Sequence, residues 1–213
     1  MSPGEMLDRL NADELRAQLP CAVIGQEIIA LEQASSTNDA ILQVVTTNPK
    51  EGLVLFAERQ TAGRGQRGNR WESAAGKGLW FSILLRPEIH ISESGRLTVW
   101  AIEAISDVIR TEFSIEPTIK LPNDVQVHGR KVAGVLVETR AQEKAPHLAI
   151  VGIGINLNQS GEDFPLELHD KAVSLAMALG RQVDRPRFAV ALLQNLDRIY
   201  REKFVTRATR LPS

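Results

Sequence analysis

The sequence has 213 residues, of which 43% are hydrophobic and 24% are charged, and its formal net charge is -1. This composition is typical of a globular chain, and the near-neutral charge argues against a global basic field for nucleic acid or an anionic membrane. The single cysteine, Cys21, excludes an internal disulfide and favours a reducing cytoplasm, and no apolar run approaches the roughly 18 residues that span a bilayer.

Residues 1–20 are predicted to form a short helical extension ahead of one main domain at residues 21–213. Apolar side chains recur there at helical spacing, at Met6, Leu7, Leu10, Leu15 and Leu19. The acidic, mixed start differs from a signal peptide. About twenty residues are also too few for a helix-turn-helix domain, so a repressor role lacks its usual DNA-binding element.

The remaining elements are predicted from apolar runs, capping residues and turn residues. Strands are predicted at residues 28–33, 53–58, 79–86, 117–119, 125–127, 131–139 and 147–157. Helices are predicted at residues 37–47, 94–113, 171–179 and 187–204. Because strands and helices are grouped rather than strictly alternating, we expect an α+β fold with a mixed, mostly antiparallel sheet backed by helices.

A loop rich in glycine and arginine separates the second and third predicted strands, at residues 59–77. Its cations are Arg59, Arg64, Arg67, Arg70 and Lys77, against the single anion Glu72. The glycines let the backbone approach a ligand closely, and cations with exposed N–H groups are what a phosphate requires. We therefore interpret the loop as a phosphate-binding segment, with a solvated basic loop as the alternative from composition alone.

Three common nucleotide motifs do not fit this loop. Gly63, Gly65 and Gly68 have the spacing of the dinucleotide-binding fingerprint, but no helical pattern begins within them. The protein-kinase glycine loop has the same spacing, but no HRD or DFG sequence follows. Lys77 is followed by Gly78 and lacks the first glycine of a P-loop. The loop must therefore belong to a different fold.

The segment AERQTAGRGQRGNRW (57–71) resembles the signature loop of biotin protein ligases, whose pattern is close to GRGRRGRxW. Further segments resemble that family in the same order: Ser36-Thr37-Asn38, KLPNDV (120–125), RKVAGVLVE (130–138) and VGIGIN (151–156). The resemblance covers about residues 28–200. It implies a biotin ligase catalytic domain without an N-terminal DNA-binding domain, with the fold shared by class II aminoacyl-tRNA synthetases.

The resemblance implies a reaction in two steps. The carboxylate of biotin attacks the α-phosphate of ATP in the presence of Mg²⁺, giving biotinyl-5'-adenylate and pyrophosphate. A lysine amine of a biotin carboxyl carrier protein then attacks the mixed anhydride and releases AMP. Fixed cations must cancel the repulsion between two anions, and water must be kept from the adenylate. The implied partners include neither nucleic acid nor membrane, and a homodimer formed through sheet edges is compatible with the resemblance.

The resemblance also implies roles for individual residues. The catalytic residues would be Lys131 on both carboxylate and α-phosphate, Arg64 on phosphate, and Asp124. Asp124 would orient the acceptor amine or contact Mg²⁺, or it stabilises its own turn; no other protein ligand to the metal is assigned. The biotin-binding set is Ser36, Thr37, Asn38, Gln60, Gly63, Arg64, Lys131, Gly134, Gly152 and Gly154. The nucleotide-binding set is Arg64, Gly65, Arg67, Trp71, Lys120, Asn123, Lys131 and Asn156.

Local sequence leaves a second interpretation for several of these residues. Ser36 and Thr37 could cap the following helix, and Lys131 could be an edge-strand lysine that faces water. Trp80 and Ser82 share one face of a strand, where they would line the slot for the biotin rings or pack in the core.

The sequence departs from the family pattern in three places. Leu121 replaces the usual tryptophan of KWPND, so we expect one pocket wall to be smaller or filled differently. Gln66 and Asn69 replace two loop arginines, so the adenylate would be held more loosely. The chain stops soon after its last predicted helix, so the barrel-like C-terminal domain of the family is expected to be absent or truncated.

Two other functions remain open, and a third is disfavoured. A lipoate ligase or octanoyl transferase of the same fold would need a longer, more apolar tunnel. A non-catalytic biotin sensor would not need Lys131 and Arg64. Nucleic-acid binding by the loop at residues 59–77 conflicts with the near-neutral net charge.

Overall fold

The computed structural model describes residues 9–20, 23–44, 50–141 and 147–205. Its strands are β1 (Ile28–Ala34), β2 (Val54–Gln60), β3 (Gly78–Leu85), β4 (Thr118–Lys120), β5 (Asp124–Val127), β6 (Arg130–Arg140) and β7 (Leu148–Asn156). Its helices are α1 (Ala12–Ala17), α2 (Thr37–Val44), α3 (Gly95–Phe113), α4 (Leu175–Leu179) and α5 (Arg185–Phe204). Cys21, Met6 and Leu7 lie outside the described residues.

The described strands form one seven-stranded sheet in the order β1-β2-β3-β7-β6-β5-β4. β1 and β2 are parallel, and the neighbouring pairs from β2 to β4 are antiparallel. The parallel pair is connected through α2, since a crossover must return the chain to the same end of the sheet. This topology confirms the predicted α+β fold with a mixed, mostly antiparallel sheet.

β3 lies between two hydrophobic clusters and is buried at every position. Phe81 and Ile83 belong to the larger cluster, which includes the buried residues of α3 and α5. Leu84 belongs to the smaller cluster, together with Ile41 of α2. Because both faces of the sheet are covered along β3, its sequence reads as a continuous apolar run rather than an alternating one.

α2 lies on the face of the sheet opposite to α3 and α5, beside Trp80, Ser82 and Leu84 of β3. On the same face, Gly154 of β7 is opposite Trp80, and Gly152 is opposite Ser82. Next to them, β6 places Gly134 opposite Gly154. This glycine-lined part of the sheet, adjoining α2, forms the floor of the site described below.

The helix predicted at residues 171–179 is wrong at its beginning, because α4 starts only at Leu175. The carbonyl of Lys171 accepts the backbone N–H of Lys131 at 2.8 Å, and the N–H of Val173 donates to the carbonyl of Lys131 at 2.9 Å. Ser174 then caps the helix, since its hydroxyl accepts the N–H of Met177. Pairing with Lys131 of β6 on both sides of Ala172 therefore keeps this segment out of the helix.

Within the described part of the predicted N-terminal extension, residues 9–20, the helix is limited to Ala12–Ala17. Among the described residues it begins after Asn11, whose side chain accepts the backbone N–H groups of Asp13 and Glu14. The predicted apolar face is nevertheless in place, since Leu10, Leu15 and Leu19 are buried in the same cluster as α3 and α5. None of the described helices combines the length and apolarity required to cross a bilayer.

Candidate active site

Three glycines on adjacent strands form the floor of the site. A methyl group at Gly152 would lie 2.3 Å from Oδ1 of Asn38, and one at Gly154 would lie 2.4 Å from Cε2 of Trp71. At Gly134 the added carbon would lie 2.9 Å from Cζ3 of Trp71. Glycine is therefore required at these positions, because it lets Asn38 and the Trp71 indole lie directly against the sheet.

A chain of polar side chains forms the wall next to α2. Gln60 accepts the backbone N–H of Thr37 at 2.8 Å, and its amide nitrogen donates to the hydroxyl of Ser73 at 3.0 Å. The hydroxyl of Ser82 lies 2.8 Å from Oγ1 of Thr37 and 2.6 Å from Oδ1 of Asn38. Buried polar groups that are paired in this way are held in fixed orientations. The predicted residues Thr37, Asn38 and Gln60 therefore meet in one network.

Lys131 points into the site rather than into open solvent. Its Nζ lies 2.6 Å from Oδ1 of Asp124 and 5.1 Å from the ring centroid of Trp71. A break in the β5–β6 register lies opposite it, and its backbone is held by Lys171 and Val173. The interpretation of Lys131 as an edge lysine facing water is therefore wrong, because a carboxylate and an aromatic ring occupy its surroundings.

Arg64 is held by two carboxylates from different elements. Its Nη1 lies 3.0 Å from Oδ1 of Asp39 in α2, and its Nη2 lies 2.8 Å from Oε2 of Glu138 in β6. The same oxygen of Glu138 accepts the side-chain amide of Asn38 at 2.7 Å. Neither carboxylate was predicted as a site residue, although Glu138 ends the RKVAGVLVE motif and Asp39 directly follows Ser-Thr-Asn.

The segment after β2 folds into a small hairpin. The N–H of Trp71 donates to the carbonyl of Gly63 at 2.9 Å, and the N–H of Gly65 donates to the carbonyl of Asn69 at 2.7 Å. At its tip, Arg67 has a φ of 57°, in the left-handed region that non-glycine residues rarely adopt. The hairpin returns Trp71 to the glycine floor, so the predicted loop is locally ordered.

Most predicted site residues line one pocket on this floor. Those lining it are Ser36, Thr37, Asn38, Gln60, Arg64, Gly65, Trp71, Asn123, Lys131, Gly134, Gly152 and Gly154. Gly63 is adjacent, because a methyl group there would lie 3.0 Å from Nε2 of Gln60. Asp124 reaches the pocket through its ion pair with Lys131. Residues from both predicted ligand sets therefore converge.

A second pocket adjoins the first and shares Trp71 and Lys131 with it. The predicted residue Asn156 lines this second pocket. Three of its other residues, Asn69, Arg70 and Glu72, belong to the predicted phosphate-binding loop. The sequence did not predict the four that lie in the connection between β7 and α4: Phe164, Leu168, Lys171 and Ala172. This connection directly follows the VGIGIN motif, which ends at Asn156. Its place next to that motif was the only indication in the sequence that it borders the site.

Other positions differ from the predicted pocket. Arg67 and Lys120 are exposed and line neither pocket. Leu121 is 70% exposed, so it does not form the smaller pocket wall that we expected. Trp80 is fully buried and packs edge-on against Trp71 with ring centroids 6.0 Å apart. It is thus buried beside Trp71 on the face of the sheet that carries the glycines, in agreement with the core-packing interpretation.

The combined geometry is suited to bringing two anionic groups together. Lys131 lies where the two pockets meet, and Arg64 lies at the first pocket. Both cations are paired with carboxylates, which an anionic ligand would have to share or replace. Within the described part of the chain, no group of three His, Cys, Asp or Glu side chains is arranged to hold a metal ion.

Comparison with known proteins places this site in a family context. The chain matches the family model described as "Biotin/lipoate A/B protein ligase family" over residues 30–156. It is 38% identical to the bifunctional ligase/repressor BirA of Bacillus spizizenii, covering 91% of this chain and 60% of the relative. It is 32% identical to the biotin--[acetyl-CoA-carboxylase] ligase of Mycobacterium tuberculosis, covering 88% of this chain and 70% of that protein.

The fold agrees with solved structures as well. The biotin protein ligase from Aquifex aeolicus in complex with biotin and ATP has a TM-score of 0.71 and 33% identity, over 84% of this chain and 73% of that chain. The match to BirA is partial, because the present chain spans about 60% of that relative's length.

Proposed function

Since the chain belongs to the biotin/lipoate A/B protein ligase family, we propose that it is an ATP-dependent biotin protein ligase. It would join the biotin carboxylate to the α-phosphate of ATP and then transfer biotin to a lysine of an acceptor protein. The observation that carries the proposal is the position of Lys131, which lies at the junction of two adjoining pockets.

The first pocket would take biotin. The ureido ring is small and neutral, and it needs neutral hydrogen-bond donors and acceptors in fixed positions. Thr37, Asn38 and Gln60 provide hydroxyl and amide groups that are already oriented by their own hydrogen bonds. This short polar wall favours a urea over the aliphatic chain of lipoate or an octanoyl group, which would need an apolar tunnel.

The second pocket would take the adenosine part of ATP. It combines the aromatic and apolar side chains Trp71, Phe164 and Leu168 with the amide of Asn156. A flat base stacks on an aromatic ring and presents hydrogen-bonding atoms at its edge. In this assignment Asn156 reads the edge of adenine, while Trp71 separates the base from the biotin ring.

The bond would form between the pockets, where Lys131 faces both ligands. A cation about 4 Å from a developing anion contributes roughly 4 kcal/mol at an effective dielectric of 20. This corresponds to a rate factor on the order of 10³. Arg64 would supply the second fixed positive charge, so the carboxylate and the α-phosphate are attracted to one place.

Asp124 is the candidate protein ligand for Mg²⁺. Mg²⁺ is usually held by one or two carboxylates together with substrate phosphates rather than by an all-protein cage. The buried carboxylate oxygen of Asp124 beside Lys131 fits a single-ligand role of this kind. When bound, the ion would neutralise phosphate charge. Asp124 is also placed to orient the incoming lysine amine in the transfer step.

The acceptor that we propose is a biotin carboxyl carrier domain. Support comes from relatives named biotin--[acetyl-CoA-carboxylase] ligase in two bacteria, one of them Mycobacterium tuberculosis. The lysine amine would attack the carbonyl of the mixed anhydride, its lost proton would pass to solvent or a nearby carboxylate, and AMP would leave. A homodimer and a cytoplasmic location remain predictions.

Mass spectrometry of a carrier domain incubated with biotin, ATP and the protein tests the proposal directly. We expect one biotinyl group on the acceptor lysine, together with pyrophosphate release. Lipoic acid in place of biotin and a reaction without ATP are the controls. Acylation by lipoate alone would replace the proposal with a lipoate ligase, whereas biotin binding without pyrophosphate release would indicate a sensor.

A further inference from the structure

The guanidinium of Arg64 lies between helix α2 and strand β6. Asp39 contacts one terminal nitrogen at 3.0 Å, and Glu138 contacts the other at 2.8 Å. All three side chains are only partly exposed, at 41% for Arg64, 38% for Asp39 and 42% for Glu138. These contacts connect the hairpin to two elements that are distant in sequence.

Arg64 itself lies on a backbone with little intrinsic rigidity, since Gly63 and Gly65 flank it. A free arginine side chain samples many rotamers, and restricting it costs conformational entropy. Two carboxylates on a helix and a strand restrict it before any ligand arrives. Because a guanidinium has five N–H donors, two ion pairs leave others free to face the pocket.

Glu138 is in turn fixed to the floor of the site. The oxygen that contacts Arg64 also accepts the amide of Asn38 at 2.7 Å. Asn38 contacts Ser82 at 2.6 Å and lies directly against Gly152. One carboxylate therefore sets the position of a cation and of a neutral amide in the same pocket.

We propose that Asp39 and Glu138 are positioning residues that hold Arg64 ready for the anionic groups of the substrates. The identity of those groups, a carboxylate and a phosphate, rests on the proposed ligase function. The position of Arg64 does not depend on that function. The alternative is that Asp39 and Glu138 compete with the anionic substrates for the guanidinium of Arg64. In that case, removing either carboxylate would tighten substrate binding.

Kinetics of biotin-dependent pyrophosphate release separates positioning from competition. We expect Glu138→Gln to lower kcat/KM for ATP about tenfold and Asp39→Asn to lower it a few-fold, since each loses one charge-assisted contact. The matched control is Glu93→Gln, which removes an exposed ion pair with Arg96 outside the site. A lower KM in either site variant would overturn the proposal.

A double-mutant cycle tests whether the carboxylates act through Arg64. In an Arg64→Ala background, Glu138→Gln should cause little further loss, because the cation is already missing and a glutamine carbonyl can still accept the amide of Asn38. Equal losses of kcat/KM in the wild-type and Arg64→Ala backgrounds would contradict the proposal. A merely structural role for Glu138 would give the same loss in both backgrounds.

A second measurement does not require activity. In the Asp39→Asn/Glu138→Gln double variant, trypsin should cut the hairpin after Arg64, Arg67 or Arg70 roughly fivefold faster than in wild type, since proteolysis follows local opening. Glu93→Gln is again the control. If the wild type releases no pyrophosphate, the ligase proposal fails while this comparison still tests the positioning. Equal cleavage rates would overturn the positioning.

Discussion

At the scale of single residues, Lys131 is the side chain on which the proposed chemistry depends most. Its Nζ lies 2.6 Å from Asp124 and faces the Trp71 ring at 5.1 Å. Lys131→Met keeps the aliphatic stem and removes the charge, so the fold should persist. Adenylate formation should fall by about 10²–10³, the range for one lost electrostatic stabiliser. Single-turnover pyrophosphate release with biotin and ATP measures this loss.

The matched control for this prediction is Lys203→Met. Lys203 is a surface lysine paired with Glu103 at 2.7 Å, remote from both pockets. That variant should keep wild-type rates. Near-normal turnover in Lys131→Met would show that Lys131 is not the catalytic cation of this protein.

Gly154 makes a second prediction possible at this scale. A methyl group there would lie 2.4 Å from the Trp71 indole, and Trp71 packs against the buried Trp80. Gly154→Ala should therefore push the indole off the floor and weaken biotin binding about tenfold or more. Calorimetric titration measures the affinity, and tryptophan fluorescence reports the displacement.

Gly161→Ala provides the comparison for Gly154→Ala, since an added methyl group at Gly161 has nothing within 4 Å. Its biotin affinity should equal that of the wild type. If Gly154→Ala also binds biotin normally with unchanged fluorescence, then the position of Trp71 on the glycine floor does not shape the biotin pocket.

The sequence motifs identified the site residues that lie within them but not the partners of those residues. Lys131, Gly134 and Trp71 each belong to a motif of the resemblance. Asp39 and Glu138 were identified as site residues only from the structure. The contact between Arg64 and Glu138, for example, joins positions 74 residues apart. Local patterns describe periodicity and turns, whereas ion pairs of this range depend on sheet register.

At the scale of elements, the loop at residues 59–77, which contains the hairpin, is anchored at its base by Arg185 of α5. Arg185 is 1% exposed, contacts Glu58 at 2.6 Å and donates to the carbonyl of Gly78 at 3.1 Å. Glu58 directly precedes this loop and Gly78 directly follows it. The first residue of α5 therefore holds both ends of this loop against the core.

Arg185→Met should strongly destabilise the protein, since it leaves the largely buried carboxylate of Glu58 without its cation. Removing one partner of a buried ion pair typically costs about 3–5 kcal/mol of unfolding free energy. Urea denaturation measures this change. Arg198→Met, which breaks an exposed pair with Glu202, should cost less than about 1 kcal/mol. Similar midpoints for the two variants would show that Arg185 is not an anchor.

Elements defined by strong local patterns were predicted well, whereas the connection after β7 was not. The type of each of these elements follows from its own pattern, because β3 is apolar at every position but one and α3 has an apolar stripe at helical spacing. Residues 171–173 have a pattern that also suits a helix. Their backbone instead pairs with Lys131, forty residues away, and tertiary pairing overrides local propensity.

At the scale of the whole molecule, the sheet separates packing from binding. The face against α3 and α5 carries the larger core, and the opposite face carries the glycine floor beside α2. The core on one face supplies most of the buried apolar surface, so the other face can keep an unfilled recess. A smaller fold buries less of its surface and would lose a larger share of its stability to such a recess. β1 and β4 form the two edges of the described sheet, where the predicted homodimer would have to pair.

The N-terminal segment belongs to this same unit by its contacts. Leu15 is 1% exposed within the main cluster, and the backbone N–H of Leu10 donates to Glu58 at 2.9 Å. The segment thus reaches the carboxylate that Arg185 uses to anchor the hairpin. An independent extension would not share buried partners with the base of the active-site loop.

Leu15→Ala should therefore destabilise the entire protein in one cooperative transition, by about 2–5 kcal/mol for a buried leucine. Thermal unfolding followed by both far-UV and tryptophan signals measures whether the two transitions coincide. Leu166→Ala is the matched control, because Leu166 is 84% exposed and its loss should change stability by no more than about 0.5 kcal/mol. An early, separate transition in Leu15→Ala would make residues 10–19 an independent appendage, and the link from α1 through Glu58 to the hairpin would then carry no stability.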